Sequence, residues 1–252
     1  MHEGFRVTED VAEQYCWSQC SNGHWKAASV GSCALVAHLS IDKSQLTVAN
    51  AGDCRAVLAT RRSDGRGIQA VALSRDHNSR EKPEQEAALR EHPGEDDILY
   101  QANAAAWYIK GRLQPTRSLG DFYLKQHRFN AATLGARRIP EPFTPPYVKW
   151  APEITMRPLE SGDLFLILAT DGLWDEMNNQ TAADVAFKAM EQGVDPAQAL
   201  VRAARFHAAE QARIPLSQLN ALAELRGAQR QSLRNIHDDI TVVVIAINVS
   251  EA

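Results

Sequence analysis

The 252 residues carry a formal net charge of −4, which leaves no basic stripe of the kind nucleic-acid binders use and so speaks against that class of partner. Hydrophobic content of 44% and charged content of 23% are those of an ordinary folded chain with room for one large α/β or α+β domain. No run approaches about eighteen apolar residues, so no membrane span is expected, and the start MHEGFRVTED lacks the order of a secretory signal.

Residues 8–20 have the polarity of an amphipathic helix. Cys16, Cys20 and His24 follow at intervals of four, but structural zinc takes four protein ligands and Gly23 interrupts the helix. The cysteines read instead as small buried hydrophobes, and four in all suggest a reducing, intracellular compartment. Short β-branched runs follow at 31–40, 45–52, 54–60 and 68–74, separated by polar turns, which predicts an antiparallel meander. Pro83 opens a helix that stops before Pro93-Gly94. Residues 93–118 read as irregular, and the proline-rich 137–153 segment is expected to pack on a surface through Phe143, Tyr147 and Trp150. LFLILAT (164–170) is a continuous apolar strand. Thr181 with Asp184 suggests a capping box for a helix over 182–192, and Asp195-Pro196 opens another to about 212. Residues 213–236 are expected to be helical, and ITVVVIAINV (240–249) closes the chain as a second buried strand. Strands, helix, strand, helices and strand in that order suit an α+β arrangement.

Asp171 follows one apolar strand directly and Asp238 precedes the other. If the strands are antiparallel neighbours, both carboxylates reach one rim, where a hard divalent cation would neutralise them. Taken singly, Asp171-Gly172 reads as a turn and Asp238-Asp239 as a loop end; together they favour a metal site. Asp76 and Asp175 are further candidates; Asp175 serves equally well as a helix N-terminal acid. His77 reads as a ligand, a base or, more commonly, a buried structural histidine. Arg117 and Asp121 are expected to hold their loop structurally, as a surface or buried ion pair.

GSCALVAHL, VANAGDCRAVL, ALSRDHN, GRLQPTRSLGDFYLK, APEIT, LFLILATDGLWDEM and HDDITVVVI resemble, in order, the successive motifs of PPM-type (type 2C) metal-dependent serine/threonine protein phosphatases. The likeness covers nearly all of the chain from residue 31 onward. A closer likeness, through LSRDHNSREKPEQEAALREHPGE and IPEPFTPPYVKWAPEIT, is to the pyruvate dehydrogenase phosphatase subgroup. The resemblance implies a four-layer α/β/β/α sandwich with two antiparallel sheets. It makes Asp171 and Asp238 ligands of a catalytic Mg²⁺ or Mn²⁺ pair, with Asp76 and Asp175 at a third, weaker site. It implies hydrolysis of phosphoserine or phosphothreonine on a protein by a metal-activated water, with a pyruvate dehydrogenase subunit as a candidate partner and the mitochondrial matrix as the matching location.

The family's D-G-H motif, which supplies a bridging aspartate and the proposed general acid, does not occur here. Asn22-Gly23-His24 is no substitute, because an amide brings no negative charge. The chain is therefore expected to be an N-terminally truncated 1–252 phosphatase domain with no assigned catalytic residue of its own and little Mg²⁺- or Mn²⁺-dependent turnover of p-nitrophenyl phosphate. The rival reading is an inactive regulatory module on the same scaffold. Two other phosphohydrolase classes fall away: His237-Asp238 opens a strand rather than a helix, and Ala169 stands where a haloacid-dehalogenase nucleophile would be.

Overall fold

The computed structural model describes residues 1–103, 106–224, 233 and 236–247. The chain forms two compact units: Met1–Ala37 with Val48–Asp53 and Arg75–Thr155, and His38–Thr47 with Cys54–Ser74 and Met156–Ala252. It opens with helix α1 (His2–Ser21), longer than the sequence suggests, and then strands β1 (Gly31–Ser32), β2 (Ala34–Leu39), β3 (Gln45–Ala51), β4 (Arg55–Arg61) and β5 (Ile68–Ala72). Helix α2 (Lys82–Glu91) precedes β6 (Leu99–Gln101), β7 (Trp107–Ile109), β8 (Leu119–Gly120) and α3 (His127–Ala132). The remainder is β9 (Glu153–Pro158), β10 (Asp163–Ala169), α4 (Asp171–Trp174), α5 (Asn179–Glu191), α6 (Pro196–Gln211), α7 (Leu216–Ala223) and β11 (Val242–Ala246).

The expected meander is corrected. β3 lies between β2 and β9 in one sheet, whereas β4 lies between β10 and β5 in another. The break falls at Gly52, whose φ of 127° only glycine adopts readily and where a Cβ would sit 2.3 Å from Cys33 Sγ. The turn therefore redirects the chain instead of folding it back as a hairpin. All pairings recorded within the four-stranded sheet are antiparallel, so the α+β reading with antiparallel sheets holds.

In the first unit, α1 buries Cys16 in an apolar cluster with Ile98, Phe122, Phe129, Phe143 and Tyr147. Burial, helped by Cys20, pushes the Cys16 thiol up to about 12, which suits a packed hydrophobe and not a metal thiolate. The proline-rich segment packs as expected, with Phe143 and Tyr147 buried and Trp150 half-buried against Phe5, Ala49 and Ala51. The stretch read as irregular contains an antiparallel hairpin, β6 with β7. Arg117 and Asp121 do hold their loop, but not as a pair. Arg117 donates to the Ala151 carbonyl (2.9 Å) and Asp121 accepts from the Ser118 hydroxyl (2.8 Å). Burial holds the Asp121 carboxyl above the usual carboxylate range. Nearby, Lys125 donates to Glu9 (2.6 Å) inside the protein, and Glu9 also accepts from Gly120 N (2.9 Å).

In the second unit the sheet runs β11–β10–β4–β5. One face, through Val57, Phe165, Ile167 and Ala169, packs with Ala182, Ala183, Leu200 and Ala204 of α5 and α6. The LFLILA strand is interior because Leu166, on the alternate face, is also buried. Asp195 caps α6, accepting from Ala197 N (2.9 Å) and Gln198 N (3.3 Å). For α5 the expected cap is displaced: Asn178 accepts from Thr181 N (2.9 Å), and Thr181 lies inside the helix. α7 and β11 fit the closing expectations in part: the strand forms, but at the edge of its sheet with Val243 and Ile245 exposed instead of buried, and the rest of the expected 213–236 helix (225–232, 234 and 235) and strand residues 248 and 249 lie outside the described residues.

Candidate metal centre

The second unit places Asp171 and Asp238 at adjoining ends of two paired strands. β10 and β11 pair antiparallel with Ala169 opposite Val242. Thr170 then fastens the strand ends. Its N–H donates to the Thr241 carbonyl (3.1 Å), its hydroxyl donates to the Asp239 carbonyl (3.1 Å), and the same oxygen accepts from Thr241 N (3.0 Å). The next residue, Asp171, opens α4, whose Trp174 Nε1 donates back to the Ala169 carbonyl (3.0 Å). A Cβ on Gly172 would lie 2.5 Å from Asp239 O and 3.2 Å from Asp238 O. Glycine at 172 is thus what allows the 238–239 backbone to pass directly beside the Asp171 turn.

Around this rim, Asp238 is exposed and Asp171 half-buried. Asp238 Oδ1 accepts from Asp239 N (2.7 Å), while His237 Nδ1 lies 2.6 Å from the Asp238 carbonyl. Asp175 stands one turn beyond Asp171, its N–H donating to the Asp171 carbonyl (2.8 Å). Its side chain is exposed.

Asp76 belongs to the first unit, half-buried in the Arg75–Ser79 segment. Beside it His77 is fully buried, with its Nε2 3.5 Å from Glu153 Oε2 and its backbone N–H donating to Gly52 O (3.0 Å). Burial, and secondarily Arg117, pushes the His77 imidazole below its ordinary value. Its full burial favours the structural reading of His77. Sequence reading passed over Asp53 as part of a turn. It is a buried carboxylate, with Oδ2 accepting from Asn78 Nδ2 (2.8 Å) and Oδ1 from Cys33 Sγ (3.1 Å). Only its place between two apolar runs hinted at burial.

Carboxylate oxygens are the donors Mg²⁺ and Mn²⁺ prefer, and Mg²⁺ is commonly held by one or two carboxylates with water completing its shell. The Asp171–Asp238 rim fits one such ion in kind and number. Among the described residues no group of three His, Cys, Asp or Glu side chains is placed to hold a metal, so a pair of ions is not matched by this donor set.

A family model described as "Protein phosphatase 2C" matches residues 2–213. The match takes in α1, ahead of the residue-31 start that the sequence motifs suggested. "Probable protein phosphatase 2C 78" of Oryza sativa subsp. japonica is 39% identical over 222 residues, covering 88% of this chain and 54% of that protein. "Probable protein phosphatase 2C 67" of Arabidopsis thaliana is 39% identical over 222 residues, covering 88% and 56% respectively. A solved serine-threonine phosphatase 2C from Toxoplasma gondii superposes with a TM-score of 0.59 at 20% identity, covering 96% of this chain and 66% of that one; at that identity the likeness concerns the fold. The chain spans about half the length of the curated relatives it matches.

Proposed function

The chain belongs to the protein phosphatase 2C family, and on that footing we propose that it carries the Asp171–Asp238 part of a centre for metal-dependent hydrolysis of phosphoserine and phosphothreonine on proteins. The observation that carries the proposal is the placement of two aspartates at adjoining ends of the buried strand β10 and its edge neighbour β11, held by the Thr170 hydrogen bonds to Thr241 and Asp239. Carboxylate oxygens are the donors that a hard divalent cation takes.

In this reading Asp171 and Asp238 hold Mg²⁺ or Mn²⁺, which when bound supplies Lewis-acid chemistry for phosphoryl transfer to water. The protein's own part is positional. Thr170 sets the spacing of the strand ends, Gly172 admits the 238–239 backbone, and the α4 turn fixes the backbone of Asp171. The reading of Asp76 and Asp175 as ligands of a further, weaker ion rests on sequence resemblance alone. The finer reading, a pyruvate dehydrogenase subunit as substrate and the mitochondrial matrix as location, rests on sequence resemblance alone. The two plant relatives are named simply as 2C phosphatases.

Titration calorimetry with Mn²⁺ tests the centre without requiring turnover. A two-carboxylate site should bind with a dissociation constant on the order of 1 mM, and Asp171→Asn and Asp238→Asn should each abolish the heat. An unchanged titration in either variant would falsify the assignment.

A further inference from the structure

Beside the rim, the second unit holds an open groove of about 620 Å³ between α6, α7 and the lead-in to β11. Leu216 and Ile240 give it apolar surface, while Gln198, Arg202, Arg205 and Asn220 give it polar groups, and among the described residues no carboxylate lines it. Arg202 and Arg205 sit three apart on α6, a spacing at which like charges face each other and repel. Some arginines of this net-acidic chain pair with carboxylates, as Arg6 with Asp10, Arg75 with Glu153 and Arg128 with Glu13. Arg205 Nη2 is buried with no hydrogen-bond partner, and a buried donor in that state calls for an acceptor. Ile240 lies two residues past Asp238, a span of at most about 7 Å, so the groove opens next to the rim.

We propose that this groove seats acidic residues flanking the phosphorylated side chain of a protein substrate. The inference rests on the phosphatase reading of the rim and adds a substrate class to it: phosphoserine or phosphothreonine with Asp or Glu and an aliphatic residue close by. Guanidinium groups match carboxylates in planar, two-point hydrogen bonds, and Leu216 with Ile240 offers surface for the aliphatic neighbour. Charge complementarity decides the sign of the partner. The concave, partly apolar wall favours a peptide over a flat surface.

Fluorescence anisotropy with the full chain tests this, using a short unphosphorylated peptide of glutamate and leucine and its glutamine-for-glutamate counterpart. The glutamate peptide should bind at least roughly tenfold more tightly, and Arg202→Glu should lose at least roughly that factor. Arg205→Lys, which keeps the charge but not the planar fork, should lose less. Arg202 is exposed, so its variant decides the matter should the half-buried Arg205 position compromise folding. Equal affinity for the two peptides, or an unchanged Arg202→Glu, overturns the proposal. Asp171→Asn should leave peptide affinity unaltered; a loss there would put the peptide on the rim and overturn the groove, whereas the Mn²⁺ titration judges the rim independently. Binding to phosphatidylserine vesicles that depends on Arg202 and exceeds the peptide's affinity would overturn it in favour of a membrane surface.

Discussion

Gly172→Ala probes the rim through a single methyl group. In an ordinary helix the change is mildly favourable, by about 0.5–1 kcal/mol, because alanine loses less backbone entropy than glycine. Here the added Cβ would meet Asp239 O at 2.5 Å, Asp239 C at 3.0 Å and Asp238 O at 3.2 Å. All three are backbone atoms, so no side chain can swing aside, and relief requires the 238–239 segment to retreat by some tenths of an ångström. That segment is tied to Thr170 by the hydroxyl contact to Asp239 O and the bond from Thr241 N. Overpacking of this kind typically costs about 1–3 kcal/mol, which outweighs the helix gain and leaves a net loss of about 1–2 kcal/mol. For a chain of this size that lowers Tm by roughly 2–8 °C. Because retreat of Asp238 widens the carboxylate pair, Mn²⁺ affinity should fall together with Tm. Thermal melts followed by circular dichroism and Mn²⁺ calorimetry on the same preparation would check both. A variant as stable as the parent or more so, with Mn²⁺ affinity intact, would refute the claim that residue 172 sets the rim.

Three further outcomes follow from the geometry. Glu95 accepts from Lys110, Thr144 and Tyr147; burial raises its pKa, but those hydrogen bonds outweigh it and hold the carboxyl below its ordinary 4.5. A depressed carboxylate contributes stability that is present above pH 4.5 and lost as pH falls through the folded value. Glu95→Gln should therefore cost about 2–3 kcal/mol at pH 7, with the gap to the parent closing below pH 4.5 in urea melts; a gap independent of pH contradicts this. Lys125→Met should cost about 3–5 kcal/mol by leaving Glu9 buried without its cation, while pairing it with Glu9→Leu should recover much of the loss. A double variant no better than the single would show that the ion pair is not the source. Asn178→Ala should cost about 1 kcal/mol by removing the α5 cap, and Thr181→Ala well under that; the reverse order in denaturation midpoints would restore the cap to Thr181.

The rim was legible because its signals are local and strongly constrained. A run as apolar as LFLILAT must be interior; ITVVVIAI pairs beside it, although as an edge strand with Val243 and Ile245 exposed, and an aspartate at the end of one and the start of the other then has little choice of position. The α6 cap was legible for a related reason, since Asp195 bonds to amides two and three residues away. What stayed hidden depends on partners far along the chain. Asp53 looks like a turn acid because Asn78 and Cys33, which bury it, stand 25 and 20 positions away. Lys125 looks like a surface lysine because its Glu9 lies 116 positions upstream. The break at Gly52 misled in the opposite direction: a Gly-Asp pair between two strands is the usual mark of a hairpin, but the φ of 127° adopted here carries the chain into a different sheet. The groove beside the rim combines both situations. Nothing local in the sequence sets Arg202 and Arg205 apart on α6; only the folded chain lines them with Asn220 and Ile240 around one groove. Local pattern thus locates where this chain concentrates negative charge, whereas the positive charge that would select a partner for it emerges only once α6, α7 and β11 are folded against one another.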